Sequence, residues 1–114
     1  MTQALIILHA APDAPDNRCY TAIRLAGAML ADNKDVCLFL VEDGVRLADP
    51  ELAADNPSRA LFYELLDVGL DAQACGGTMR RLGWEEGYPL PGVTKSSMKG
   101  LSALISDADE IVNF

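Results

Sequence analysis

The sequence predicts an α/β domain in which a parallel sheet is covered by helices on both faces, a three-layer α/β/α sandwich. Two observations carry this. Strand-length apolar runs alternate with helical periodicity along the chain. The runs through Ala4–Leu8 and Val36–Val41 have no polar face, as strands buried on both sides require. The 114 residues suffice for one domain, residues 1–114, with its own core; half are hydrophobic but only 6% aromatic, so that core is built from Ala, Leu, Val and Ile. No repeat, low-complexity tract or linker interrupts it.

Ala4-Leu5-Ile6-Ile7-Leu8 is read as the central strand. It runs into a loop from His9 to Asn17 broken by Pro12 and Pro15, where Asp16 or Asn17 can cap a helix. That helix extends to about Asp32, with Cys19, Ile23, Leu25, Ala26, Met29 and Leu30 at helical spacing. Asn33-Lys34 turns the chain into a second buried strand, Asp35–Val41, closed by Glu42-Asp43-Gly44. Val45–Pro57 is polar and acidic, with breaks at Asp49-Pro50 and Asn56-Pro57, and is read as a mobile excursion containing at most a helical turn over Glu51–Ala54. From Ser58 as cap, Leu61, Phe62, Leu65, Leu66 and Val68 outline a second helix that stops at Gly69. Leu70–Ala74 is the third strand. Trp84–Val93 is rich in turn formers and large aromatics, which suit a ligand wall, a subunit contact or a cover over the core edge. Thr94 or Ser96 opens a last helix through Ile105, with Met98, Leu101, Leu104 and Ile105 inward, and Asp109–Phe114 closes the chain as a strand.

Net charge of −8 argues against nucleic acid or an anionic membrane as the main partner, since both need a basic surface. The start of the chain lacks a basic segment, and the apolar run Ala4–Leu8 is too short for a signal sequence or a membrane span, so a cytoplasmic location is expected. Three cysteines without CxxC spacing, and a single histidine, predict reduced thiols and no metal; no cofactor is expected either.

The chemistry concentrates in Cys75-Gly76-Gly77-Thr78-Met79-Arg80-Arg81. A short strand through Ala74 would deliver Cys75 to a Gly76-Gly77 turn, after which Thr78 can cap a helical turn carrying Arg80 and Arg81. Backbone N–H groups at a helix start and nearby guanidinium groups favour the thiolate, the reactive form. The same cysteine could equally be a small core residue. Cys37, mid-strand, and Cys19, within an apolar helical stripe, are read as packing residues. Reactive groups in parallel sheets gather at the carboxyl ends of strands, and a 2-1-3 strand order would make the loops carrying His9 and Cys75 neighbours. His9 could then accept the thiol proton or stabilise the thiolate as an imidazolium, or it could be an ordinary loop residue. A phosphate or nucleotide site on the glycine turn ranks second, because neither GxxxxGK[ST] nor GxGxxG occurs. No GxSxG elbow supports a serine hydrolase.

Ile6-Ile7-Leu8-His9-Ala10-Ala11-Pro12, Ala22-Ile23-Arg24-Leu25-Ala26, Leu38-Phe39-Leu40-Val41-Glu42-Asp43-Gly44-Val45, Cys75 with Arg80-Arg81-Leu82-Gly83, and Ala108–Phe114 together resemble the DsrE/DsrF-like, YchN-like family over essentially the whole chain. The resemblance implies a flavodoxin-like sandwich with a mostly parallel five-stranded sheet, assembled as an oligomer, often a trimer or hexamer. It further implies persulfide sulfur relayed through a single cysteine, matching Cys75, between donor and acceptor proteins. Some relatives carry a second cysteine where this chain has Thr78, so no disulfide can form within that turn. The alternative is a non-catalytic oligomeric binding or regulatory subunit whose pocket holds a small anion or nucleotide.

Overall fold

Residues 2–114 are described by a computed structural model. The apolar runs become strands with both faces buried: Ala4, Ile6 and Leu8 pack into one core, Leu5 and Ile7 into another. Strands β1 (Gln3–Leu8), β2 (Asp35–Leu40), β3 (Asp71–Cys75), β4 (Val93–Ser96) and β5 (Glu110–Asn113) form one sheet in the order β4-β3-β2-β1-β5. Every adjacent pair is parallel. Helices α1 (Arg18–Ala31), α2 (Pro57–Asp67), α3 (Gly76–Arg81) and α4 (Met98–Asp107) make the connections.

Handedness fixes the layers. From β1 to β4 the chain steps across the sheet in one direction, and right-handed crossovers keep α1 and α2 on one face. The return from β4 to β5 runs the opposite way, so the same handedness puts α4 on the other face. The main core lies under α1 and α2, where Ile23, Phe62, Leu38 and Leu40 are sealed from solvent. Beneath α4 lie Leu5, Ile7, Cys37, Phe39, Val41 and Cys75, contacted by Leu101, Leu104 and Ala108. No residue of α4 is itself buried. This helix is therefore the least anchored element next to the sheet.

The expected flavodoxin-like three-layer sandwich is the observed architecture, but its strand order is not 2-1-3. The second flank of β1 is taken by β5, pinned at its start by Asp109 N–H donating to the Gln3 carbonyl (2.8 Å) and at its end by His9 N–H donating to Phe114 O (2.6 Å). β3 is left to pair with β2. β1 and β2 are apolar on both faces and carry no sign of which neighbour they take.

Four local readings are corrected. Val93–Ser96, expected to lead into the last helix, is strand β4, and Ser97 caps α4 by accepting from Gly100 N–H at 3.1 Å. Asn56, not Ser58, caps α2: its Oδ1 accepts from the N–H groups of Ser58 (3.0 Å) and Arg59 (3.2 Å), with Pro57 at the first helical position, where its missing N–H costs nothing. β3 begins at Asp71 and ends at Cys75, one residue later than expected at each end.

The fourth concerns Val45–Pro57, which is no mobile excursion. Glu42–Ala48 is a 3-10 helix that buries Val45, Leu47 and Ala48 completely. The turns after it are tied to α2 by Arg59, which is buried and donates to the carbonyls of Asp49 and Leu52 (the latter at 3.3 Å). The acidic residues had masked three core positions.

Candidate functional site

β1, β2, β3 and β5 all point their carboxyl ends at one cavity of about 660 Å³ on the α4 side of the sheet. β1 contributes Ile7 and His9, the end of β2 contributes Val41 and Glu42, and β3 contributes Cys75. Gly77, Thr78 and Arg81 of α3, Met98 and Leu101 of α4, and Asn113 of β5 complete the wall. One side is aliphatic and the other polar, a combination suited to a group that is apolar at one end and charged at the other.

Cys75 reaches this wall because β3 stops there and α3 starts immediately. Gly76 makes that junction possible: a Cβ at its position would lie 2.9 Å from the Lys95 Cε and 3.1 Å from the Ser96 carbonyl oxygen on β4. Cys75, rather than Thr78, occupies the cap position of α3. Thr78 sits within the first turn and faces back toward the sulfur. Burial opposes ionisation of Cys75, which is 6% exposed. The Thr78 N–H and hydroxyl, the Gly77 N–H and the Arg81 charge outweigh it and hold the thiol below its ordinary value. Arg81 is steered there by its Nη2, which lies 3.4 Å from the Thr78 Oγ1.

The other two thiols are opposite in character. Burial pushes Cys19 up to about 11, and burial with the Asp71 carboxylate nearby pushes Cys37 up to about 12. All three cysteines are free.

His9 shares the cavity with Cys75 but is not bonded to it. β2 stands between their strands, a separation of roughly 10 Å at two strand spacings. The direct Cys75–His9 pair expected from a 2-1-3 order is therefore not formed. Instead His9 Nδ1 lies 2.6 Å from Glu42 Oε1, and Nε2 lies 3.4 Å from Asn113 Oδ1. Sequence reading treated Glu42 only as part of a strand-closing turn, although its place at the carboxyl end of a buried strand was a usable signal. Asn113 could not be found without the strand order.

Arg80 turns away. With Gly76, Met79, Lys95 and Trp84 it lines a second cavity of about 580 Å³ on the α1/α2 face. Trp84 and Tyr88 pack there with ring centroids 5.0 Å apart, and the Tyr88 hydroxyl donates to Asp49 Oδ1 at 2.8 Å. Trp84 also packs against the main core. Of the roles considered for these aromatics, both the cover over the core edge and the cavity wall describe the placement of Trp84. Among the described residues, no helix is long and apolar enough to cross a membrane.

The model of the DsrE/DsrF-like family matches residues 3–114. The chain is 32% identical to the uncharacterized protein MJ0989 of Methanocaldococcus jannaschii, with 96% of each chain covered. It is 28% identical to the uncharacterized protein MK0008 of Methanopyrus kandleri, covering 96% of this chain and 91% of the other. Among solved structures, the ychN protein from E. coli superposes with a TM-score of 0.89 at 20% identity, and MTH1491 from Methanobacterium thermoautotrophicum with 0.80 at 17%, each over the full length of both chains. These likenesses establish the fold.

Proposed function

The chain belongs to the DsrE/DsrF-like family, and on that premise we propose that it is a sulfur carrier, holding persulfide sulfur on Cys75 and passing it to an acceptor thiol. One observation supports this above the others: of three cysteines, only Cys75 stands in the cavity at the carboxyl ends of the strands, and only its thiol is held below its ordinary value. In the loading step the Cys75 thiolate attacks the outer sulfur of a donor persulfide. A new S–S bond forms, the donor's S–S bond breaks, and the donor departs as a thiolate. In the second step an acceptor thiolate attacks the outer sulfur of Cys75–SSH and releases the Cys75 thiolate. No net oxidation occurs and no external oxidant is needed. Gly77, Thr78 and Arg81 stabilise the anion whenever Cys75 carries it. Gly76 shapes the turn, and Arg80 serves the second cavity.

Incubation with glutathione persulfide is expected to add the mass of one sulfur atom to the wild type, to Cys19→Ser and to Cys37→Ser, and none to Cys75→Ser. Sulfur retained on Cys75→Ser would assign the role to another residue.

The partners in this reading are a sulfur-donor protein, a sulfur-acceptor protein and further copies of the chain, in a reducing compartment such as the cytoplasm. Met98 on α4 is 54% exposed at the rim of the Cys75 cavity, and Ile105 and Ile111 are exposed nearby on α4 and β5. An apolar surface on a helix with no buried residue favours association, as a trimer or hexamer by family resemblance. Sedimentation at micromolar concentration is expected to give that oligomer, and Met98→Glu to dissociate it. A monomer in the wild type would contradict this.

A further inference from the structure

We propose that His9, positioned by Glu42, exchanges a proton with the second sulfur of the transfer, the one that leaves or approaches Cys75 from across the cavity. This rests on reading Cys75 as the sulfur carrier, and it gives the histidine a substrate atom to act on rather than the cysteine.

The first support is the hold on the ring. Glu42 has φ +51°, a left-handed conformation that a residue with a side chain rarely adopts. The turn that imposes it is closed by Gly44 N–H donating to the Val41 carbonyl at 2.9 Å. From there the Glu42 carboxylate meets His9 Nδ1 at 2.6 Å. A carboxylate can only accept, so the pairing is with Nδ1 as donor, and Nε2 stands on the Asn113 side at the cavity wall. An imidazolium satisfies both neighbours as a donor.

The second support is reach. In-line displacement at sulfur sets three sulfurs in a row, each link somewhat longer than the ~2.05 Å of a disulfide, so the departing sulfur stands about 4.5 Å from Cys75 Sγ. A proton donor stands about 3–3.5 Å beyond that. The roughly 10 Å between the ends of β1 and β3 is too long for a Cys–His hydrogen bond but suits this longer array. The intervening wall, Val41 and Ile7, is apolar and offers no competing proton donor or acceptor between the two.

The step balances. Cys75–S⁻, R–S–SH and imidazolium give Cys75–S–SH, R–SH and neutral imidazole. The neutral ring then takes the proton of the acceptor thiol, whose thiolate attacks the outer sulfur, and Cys75–S⁻ and the imidazolium are regenerated.

The test uses two donors of the same sulfur with different leaving groups. Glutathione persulfide expels a basic thiolate, whereas benzenethiosulfonate expels a sulfinate that needs no proton. Glu42→Gln and His9→Gln are expected to slow loading of Cys75 from glutathione persulfide roughly 10²-fold and to leave loading from benzenethiosulfonate near the wild-type rate. The second donor also reports whether each variant is folded. Equal slowing with both donors, or no slowing with either, overturns the role of His9 and Glu42 while leaving Cys75 as carrier. A wild type loaded by neither donor overturns the carrier reading itself, and this inference with it.

Discussion

At pH 7 iodoacetamide is expected to alkylate Cys75 more than about tenfold faster than Cys19 or Cys37, as read by peptide mass spectrometry over time. The thiols of Cys19 and Cys37 are raised to about 11 and about 12, whereas Cys75 lies below its ordinary value. Thiolate fractions at neutrality therefore differ by about 10² or more. A more basic thiolate is a better nucleophile and takes back about half of that advantage on a logarithmic scale. Cys19 is 2% exposed inside the main core, so poor access widens the gap again for that thiol. Thr78→Val removes a donor to the sulfur anion, so the midpoint of the Cys75 rate profile is expected to move to higher pH. Three equally slow cysteines would favour the rival reading, an oligomeric binding subunit whose pocket holds a small anion beside Arg81.

The elements that carried an unbroken apolar run were legible in the sequence, as were the stripes of α1 and α2, whereas Met98 and Ile105 of α4, expected inward, are exposed. β1, β2, α1 and the body of α2 are found where their side chains predicted. β4 was not, because Val93-Thr94-Lys95-Ser96 lies at the sheet edge, with Thr94 and Lys95 exposed, and lacks the hydrophobic signal of a central strand. The 3-10 helix was hidden by its acidic shell, since Glu42 and Asp43 are exposed while Val45, Leu47 and Ala48 carry the packing. Cys75 and its glycines announced themselves through local chemistry. The His9–Glu42–Asn113 cluster did not, because three strands bring it together and strand order is decided by the long return from β4 to β5. Local pattern thus located the sulfur, while topology supplied the groups facing it.

Gly44→Ala is expected to destabilise the domain by about 3 kcal/mol or more, lowering its thermal midpoint by about 10–20 °C. A Cβ at Gly44 would lie 2.2 Å from the Leu8 carbonyl oxygen and 2.9 Å from its carbon, both main-chain atoms of β1. That oxygen already accepts from Val41 N–H at 3.0 Å, so it cannot retreat without breaking the end of the β1–β2 ladder. The 3-10 helix must move instead, and with it Val45, Leu47 and Ala48, all fully buried. Gly69→Ala makes the useful contrast. Gly69 has φ +107° but nothing within 4 Å of a new Cβ, so the substitution costs only backbone strain, about 1–2 kcal/mol. A Gly44→Ala midpoint no lower than that of Gly69→Ala would contradict the close approach. Because Gly44 closes the turn that presents Glu42, the same substitution should also loosen Glu42 from His9, coupling the packing of the β1–β2 end to the polar side of the Cys75 cavity.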